Sequence, residues 1–171
     1  MSKSQAKAPA PQFFGAEAFQ SQENTTVRWL AGAGALINCR GTILMIDPFL
    51  KGFDMPLLVE APVKTEDVPH VDALLITHSD NDHFSWDTCR DLAPVCDSCH
   101  APRYVAGLAA KLGLPSTGHE INDTFSVGPL NVTLTPADHA WQNDFPGAAD
   151  RVFQKEDFCG FWLDTPDGTI S

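Results

Sequence analysis

At 171 residues, 43% of them hydrophobic, the chain has the size and apolar content of one domain with a true core. Eleven Lys and Arg against 22 Asp and Glu leave a net charge of −11, which argues against nucleic acid or an anionic membrane surface as the main partner. No apolar run approaches the ~20 residues of a membrane span.

Residues Met1 to Pro11 are Ser, Lys, Gln, Ala and Pro without an apolar stretch, and read as a disordered leader rather than a signal peptide. Phe13 to Gln22 reads as a short helix or an arm, so 1–24 is set apart from a domain over 25–171. A cytoplasmic location follows, and five cysteines at uneven spacing (Cys39, Cys89, Cys96, Cys99 and Cys159) are expected there as reduced, buried thiols.

Thr25 to Leu30 predicts a strand, Ala31-Gly32-Ala33-Gly34 a tight turn, and Ala35 to Cys39 and Thr42 to Ile46 two further strands joined through Arg40-Gly41. The third strand ends in Asp47-Pro48, which reads as a turn starter. Lys51 to Val71, broken by Pro56, Pro62 and Pro69, predicts a loop with one helical turn. Ala73-Leu74-Leu75-Ile76 is apolar without alternation, which predicts a strand buried on both faces.

That strand runs into Thr77-His78-Ser79-Asp80-Asn81-Asp82-His83, with Ser85 as N-cap of a helix over Trp86 to Leu92. His78, Asp80, Asp82 and His83 therefore fall on the loop where a buried strand ends, the place where open α/β sheets put their chemistry. Imidazole and carboxylate together suit zinc, iron or manganese. The blander reading is a polar loop that caps the helix, with Asp80 bonded to a backbone N–H.

Further on, Pro94 to Cys99 predicts a short strand, and Pro102 opens a helix to Leu112 with Val105, Leu108, Ala109 and Leu112 as its buried stripe and Gly113 as its stop. Cys96-Asp97-Ser98-Cys99-His100 fits a covalent haem attachment pattern, and Cys89, Cys96, Cys99 and His100 a zinc knuckle with the wrong spacing; a plain strand accounts for the segment better. His70 and His119 read as loop residues. Phe125 to Val127 and Leu130 to Thr135 form a hairpin across Gly128-Pro129, and its second strand runs off into Pro136-Ala137-Asp138-His139. Gln142 to Asp157 is a polar loop that either shapes a pocket or covers a surface. Phe158 to Asp164 predicts a strand, Pro166-Asp167-Gly168 a hairpin turn, and Thr169-Ile170-Ser171 the start of a return strand.

The stretch from His78 to His83 resembles the His-x-His-x-Asp-His signature of the metallo-β-lactamase superfamily, with Asp80 where that family commonly has histidine. The resemblance implies an α/β (α+β in some schemes) αββα sandwich, of which 25–171 is the N-terminal portion, truncated after the first half. It implies a hydrolase that holds one metal on His78, Asp80 and His139 and a second with Asp82 and His83. It also implies, equally with the turn-starter reading, that Asp47 orients a metal ligand. Two zinc ions are the family's complement, with manganese or iron as alternatives. Asp82 is the candidate catalytic residue, steering the proton of a metal-bound hydroxide. The wording Pro136-Ala137-Asp138-His139 resembles the branch of the ascorbate-6-phosphate lactonases and the phospholipase D acting on N-acyl phosphatidylethanolamines. That implies a small-molecule lactone or phosphodiester as substrate. The family's bridging carboxylate and last histidine would lie beyond Ser171. A second reading is therefore a metal-binding fragment that needs its remaining part or a second chain, self-associating through an open sheet edge.

Overall fold

The structure is a computed structural model that describes residues 10–52, 58–139 and 151–171. Its elements are β1 (Thr26–Trp29), β2 (Ala35–Cys39), β3 (Thr42–Ile46), β4 (Ala73–Leu75), α1 (Trp86–Leu92), β5 (Cys99–Pro102), α2 (Arg103–Lys111), β6 (Ser116–His119), β7 (Thr124–Val127), β8 (Leu130–Pro136), β9 (Cys159–Thr165) and β10 (Gly168–Ile170). They form a six-stranded sheet in the order β1-β2-β3-β4-β5-β6 and a four-stranded sheet in the order β10-β9-β8-β7.

The first sheet changes character in its middle. β1, β2 and β3 are an antiparallel meander, whereas β3 to β6 run parallel, with α1 and α2 as crossovers. Side chains alternate between faces along a strand, and each face of this sheet meets apolar partners. Leu36, Ile43, Met45 and Leu74 pack with Cys89 and Leu92 of α1 and Val105 and Ala109 of α2. Ile37, Leu44, Ala73 and Leu75 pack instead with Val132, Leu134, Phe161 and Leu163 of the second sheet. This double burial explains why β3 and β4 are apolar runs with no polar alternation.

The second sheet is antiparallel and one-sided: Val132 and Leu134 point inward, while Asn131 is exposed on the other face and Trp162 of the neighbouring strand is 42% exposed. The order helices, sheet, sheet is the αββ part of the expected sandwich among the described residues. Ser85 caps α1 by accepting from the Thr88 N–H at 3.2 Å, as predicted. Gly113 takes φ of +89° just past α2, a backbone state that costs glycine nothing.

Several boundaries differ from the sequence reading. Ala93–Val95 is a 3₁₀ turn rather than strand, because Pro94 follows α1 directly and carries no N–H for a ladder. The strand comes later, at Cys99–Pro102; Pro102 is its last residue and the N-cap of α2, so the helix begins at Arg103. Ala106 is buried in α2, while Leu108 and Leu112 are only partly so. The short helical turns expected in 13–22 and 51–71 are 3₁₀ turns at Ala16–Phe19 and Thr65–Asp67. β6 was not foreseen at all, and His119 closes it instead of lying in a loop. Most of the leader (1–9) and residues 140–150 of the polar loop lie outside the described residues.

Candidate metal centre

All four parallel strands end on one rim. Asp47 follows β3, Thr77 and His78 follow β4, Arg103 follows β5 and Glu120 follows β6. The end of β8, in the other sheet, arrives at the same rim and delivers His139. The backbone joins the two sheets here: the Cys159 N–H at the start of β9 donates to the Thr77 carbonyl at 3.0 Å.

His78, Asp80 and His139 converge, each offering one ligand atom, with all three atoms within 4.8 Å of one another. The Asp80 carboxylate oxygen Oδ2 stands 3.6 Å from Nε2 of His78 and 3.6 Å from Nε2 of His139. His78 and Asp80 are buried, at 5% and 4% exposure. Nε2 of His78 is buried and has no hydrogen-bond partner among the described residues. A buried polar atom without a partner is costly, and a cation between these atoms removes that cost. Burial first, then the neighbouring His83 and His139 rings, pulls the His78 pKa down to about 4, so it stands neutral with a lone pair to give.

His83 lies beside them, its ring 4.1 Å from that of His78. Nδ1 of His83 pairs with Asp47 Oδ2 at 2.8 Å, which leaves Nε2 directed toward Asp82 Oδ2, 3.9 Å away. Burial opposes the charged form of His83, but the hydrogen bond and charge of Asp47, with Asp82 and Asp80, outweigh it and raise its pKa. The Asp82 side chain is 53% exposed, at the mouth of the site.

Asp47 does more than start a turn. It is buried, with φ of +42°, and its carboxylate accepts from the Thr77 N–H at 2.8 Å and from the Thr77 hydroxyl at 2.6 Å. Thr77 was missed by the sequence reading. Its hydroxyl also lies 2.8 Å from Nδ1 of His78, so one residue ties Asp47 to His78 while Asp47 holds His83. The only signal was a threonine between a buried strand and a histidine. The capping alternative for Asp80 finds no support in α1, whose cap is Ser85.

The cysteine constellations come apart. Cys89, Cys96 and Cys99 lie in the core between helices and first sheet. His100 follows Cys99 on the opposite face, hydrogen-bonded to His119 at 2.9 Å and stacked on Phe125 at 4.1 Å. Strand alternation thus separates the thiols from the imidazole that a haem motif or zinc knuckle would need beside them.

A UPF0173 metal-dependent hydrolase of Roseobacter denitrificans is 29% identical over 117 residues, 66% of this chain and 48% of the relative. A UPF0173 metal-dependent hydrolase of Herpetosiphon aurantiacus is 28% identical over 158 residues, 86% of this chain and 59% of the relative. The chain thus spans about half the length of the curated relatives it matches. Among solved structures, CmlA, a diiron beta-hydroxylase from Streptomyces venezuelae, superposes with a TM-score of 0.66 at 19% identity, over 87% of this chain and 29% of that one. The family model described as the beta-lactamase superfamily domain matches residues 42–171, from β3 to β10. With that match over most of its length, on a fold that gathers His78, His83 and His139 at one rim, the chain belongs to the beta-lactamase superfamily.

Proposed function

We propose that the chain carries the metal-binding core of a metal-dependent hydrolase. The observation that supports this best is the buried, unbonded Nε2 of His78 facing the Asp80 carboxylate, with His139 on its other side. Two imidazoles and one carboxylate fit a divalent cation, with zinc first and manganese or iron as alternatives. What the cation supplies when bound is Lewis acidity toward a carbonyl or phosphoryl oxygen and toward water.

The remaining roles belong to the chain's own residues. His78, Asp80 and His139 hold the first metal; His83 and Asp82 contribute to a second. Asp47 keeps Nδ1 of His83 engaged, so that Nε2 faces the site. Asp82, the exposed carboxylate at the mouth, takes the proton from the attacking water and is the catalytic residue of this reading.

The substrate we assign is a small lactone or phosphodiester. The Pro136-Ala137-Asp138-His139 wording supports that class. An open cleft of about 1000 Å³, lined by Tyr104, His119, Asp138 and Arg151, offers space for a small molecule on the same rim. The five free, buried cysteines accord with a reducing, cytoplasmic location. No helix among the described residues is long and apolar enough to cross a membrane. Self-association belongs to the same proposal, through an open sheet edge.

Elemental analysis of protein purified without chelator, alongside turnover of a chromogenic phosphodiester and a lactone, tests the reading. Bound transition metal in the parent and a lower metal content in a folded His78→Ala/His83→Ala protein are expected. Equal metal content in both would refute the ligand assignment.

A further inference from the structure

The opposite end of β4 carries a second cluster of metal-ligating side chains that the proposed reaction does not use. His70, Asp72 and Asp97 each offer one ligand atom, and the three atoms lie within 4.8 Å of one another. Nε2 of His70 stands 3.5 Å from Asp72 Oδ1 and 3.4 Å from Asp97 Oδ2. Both separations exceed the usual 2.7–3.2 Å of an N–H···O bond. They match the edge of a coordination tetrahedron: metal bonds of about 2.0–2.2 Å put neighbouring ligand atoms roughly 3.3–3.6 Å apart. The cluster at His78 has the same signature, with both of its N···O separations at 3.6 Å.

The backbone holds the three residues in place before any ion arrives. Val71 and Cys96 form a parallel bridge, in which the Val71 N–H donates to Val95 at 2.9 Å and the Asp97 N–H donates to Val71 at 2.9 Å. His70 and Asp72 flank Val71 in this extended segment, so their side chains leave the same side. Asp97, one residue past Cys96 on the neighbouring segment, faces them. Asp72 is fixed further: its Oδ2 accepts from the Ile43 N–H at 2.6 Å, leaving Oδ1 for the cluster.

We propose that His70, Asp72 and Asp97 form a second, surface site for a zinc-class divalent cation. One imidazole and two carboxylates suit a divalent ion, and the exposed side of the cluster leaves room for water as a fourth ligand. The ion fastens the segment before β4 to the segment before β5, at the end of the sheet away from His78. The site stands independently of the hydrolase reading.

Zinc titration of chelator-stripped protein, followed by calorimetry and by thermal unfolding, tests it. The parent is expected to bind one equivalent more than a His70→Ala/Asp97→Asn protein, and zinc to raise the Tm of the parent by more than that of the variant. A His78→Ala/His139→Ala protein is expected to keep this one equivalent, with zinc shifting the His70 ring resonances. Should that variant not fold, the stoichiometry lost from the parent by His70→Ala/Asp97→Asn decides alone. Unchanged stoichiometry and an unchanged zinc-dependent Tm in the folded His70→Ala/Asp97→Asn protein would overturn the proposal, and would mean that His70 is only an ion-pair partner of the two aspartates.

Discussion

Asp47 offers the sharpest test of how the rim is held together, because one carboxylate serves three groups. It takes the Thr77 N–H, the Thr77 hydroxyl and Nδ1 of His83, at 2.8, 2.6 and 2.8 Å. Asp47→Asn keeps the shape and tolerates φ of +42°. Its NH₂, however, cannot accept from the Thr77 hydroxyl and His83 while its oxygen serves the Thr77 N–H. Leaving such buried donors unmatched costs about 1–3 kcal/mol. Asp47→Ala removes every acceptor and adds left-handed strain of roughly 1–2 kcal/mol, about 2–5 kcal/mol altogether. Loss of a residue that orients a metal ligand typically weakens metal binding 10–100-fold, or about 1.4–2.7 kcal/mol. Urea unfolding of the metal-free proteins measures the first effect, and zinc competition against a chromophoric chelator the second. NMR titration of metal-free protein should also find the His83 pKa lower in Asp47→Asn, since Asp47 is the main influence raising it. A folded Asp47→Asn protein that binds zinc as tightly as the parent would refute the idea that Asp47 acts on metal through His83.

Two further outcomes are expected. Asp80→Ala should loosen metal binding, whereas Asp80→His should keep it and move selectivity toward zinc, since a hard carboxylate oxygen gives way to a borderline nitrogen; zinc–manganese competition that is identical in parent and both variants would leave Asp80 without a ligand role. Stability should fall as pH drops: burial, then the neighbouring His119, pulls the His100 pKa to about 4, so the unfolded chain binds more protons below its ordinary value of about 6.5 and the stabilisation present above that pH is lost on the way down. Urea midpoints measured from ~pH 7 to ~pH 5 should show this slope, and a folded His100→Leu protein should show less of it; an equal slope in both would discard His100 as its source.

Much of this molecule was legible in the chain because the controlling forces are local. Ser85 was readable as a cap because a hydroxyl three residues before an N–H needs nothing distant to bond it. β3 and β4 were readable because strands buried on both faces must be apolar throughout. His78, Asp80, Asp82 and His83 were readable as a group because they fall within six consecutive positions. β6 was not readable: Ser116-Thr117-Gly118-His119 has no strand pattern of its own and becomes a strand only by pairing with β5. The strand predicted at Pro94 slid to Cys99 for the complementary reason, since a proline can look extended in sequence yet cannot enter a ladder that needs its N–H.

The sequence by itself determined the loop rich in histidine and aspartate, the strands leading to it and the residue types suited to a metal. Only the tertiary structure decided which of those residues meet. His139 joins His78 and Asp80 because β8 lies in a second sheet packed on the first. Asp47 reaches Thr77 and His83 because β3 and β4 are parallel neighbours ending on one rim. His100 parts from Cys99 because successive strand residues face opposite layers, and His70 meets Asp97 through a single bridge between segments far apart in the chain. Each of these meetings depends on sheet pairing and layer packing, which collect residues by face and by strand end rather than by distance along the sequence.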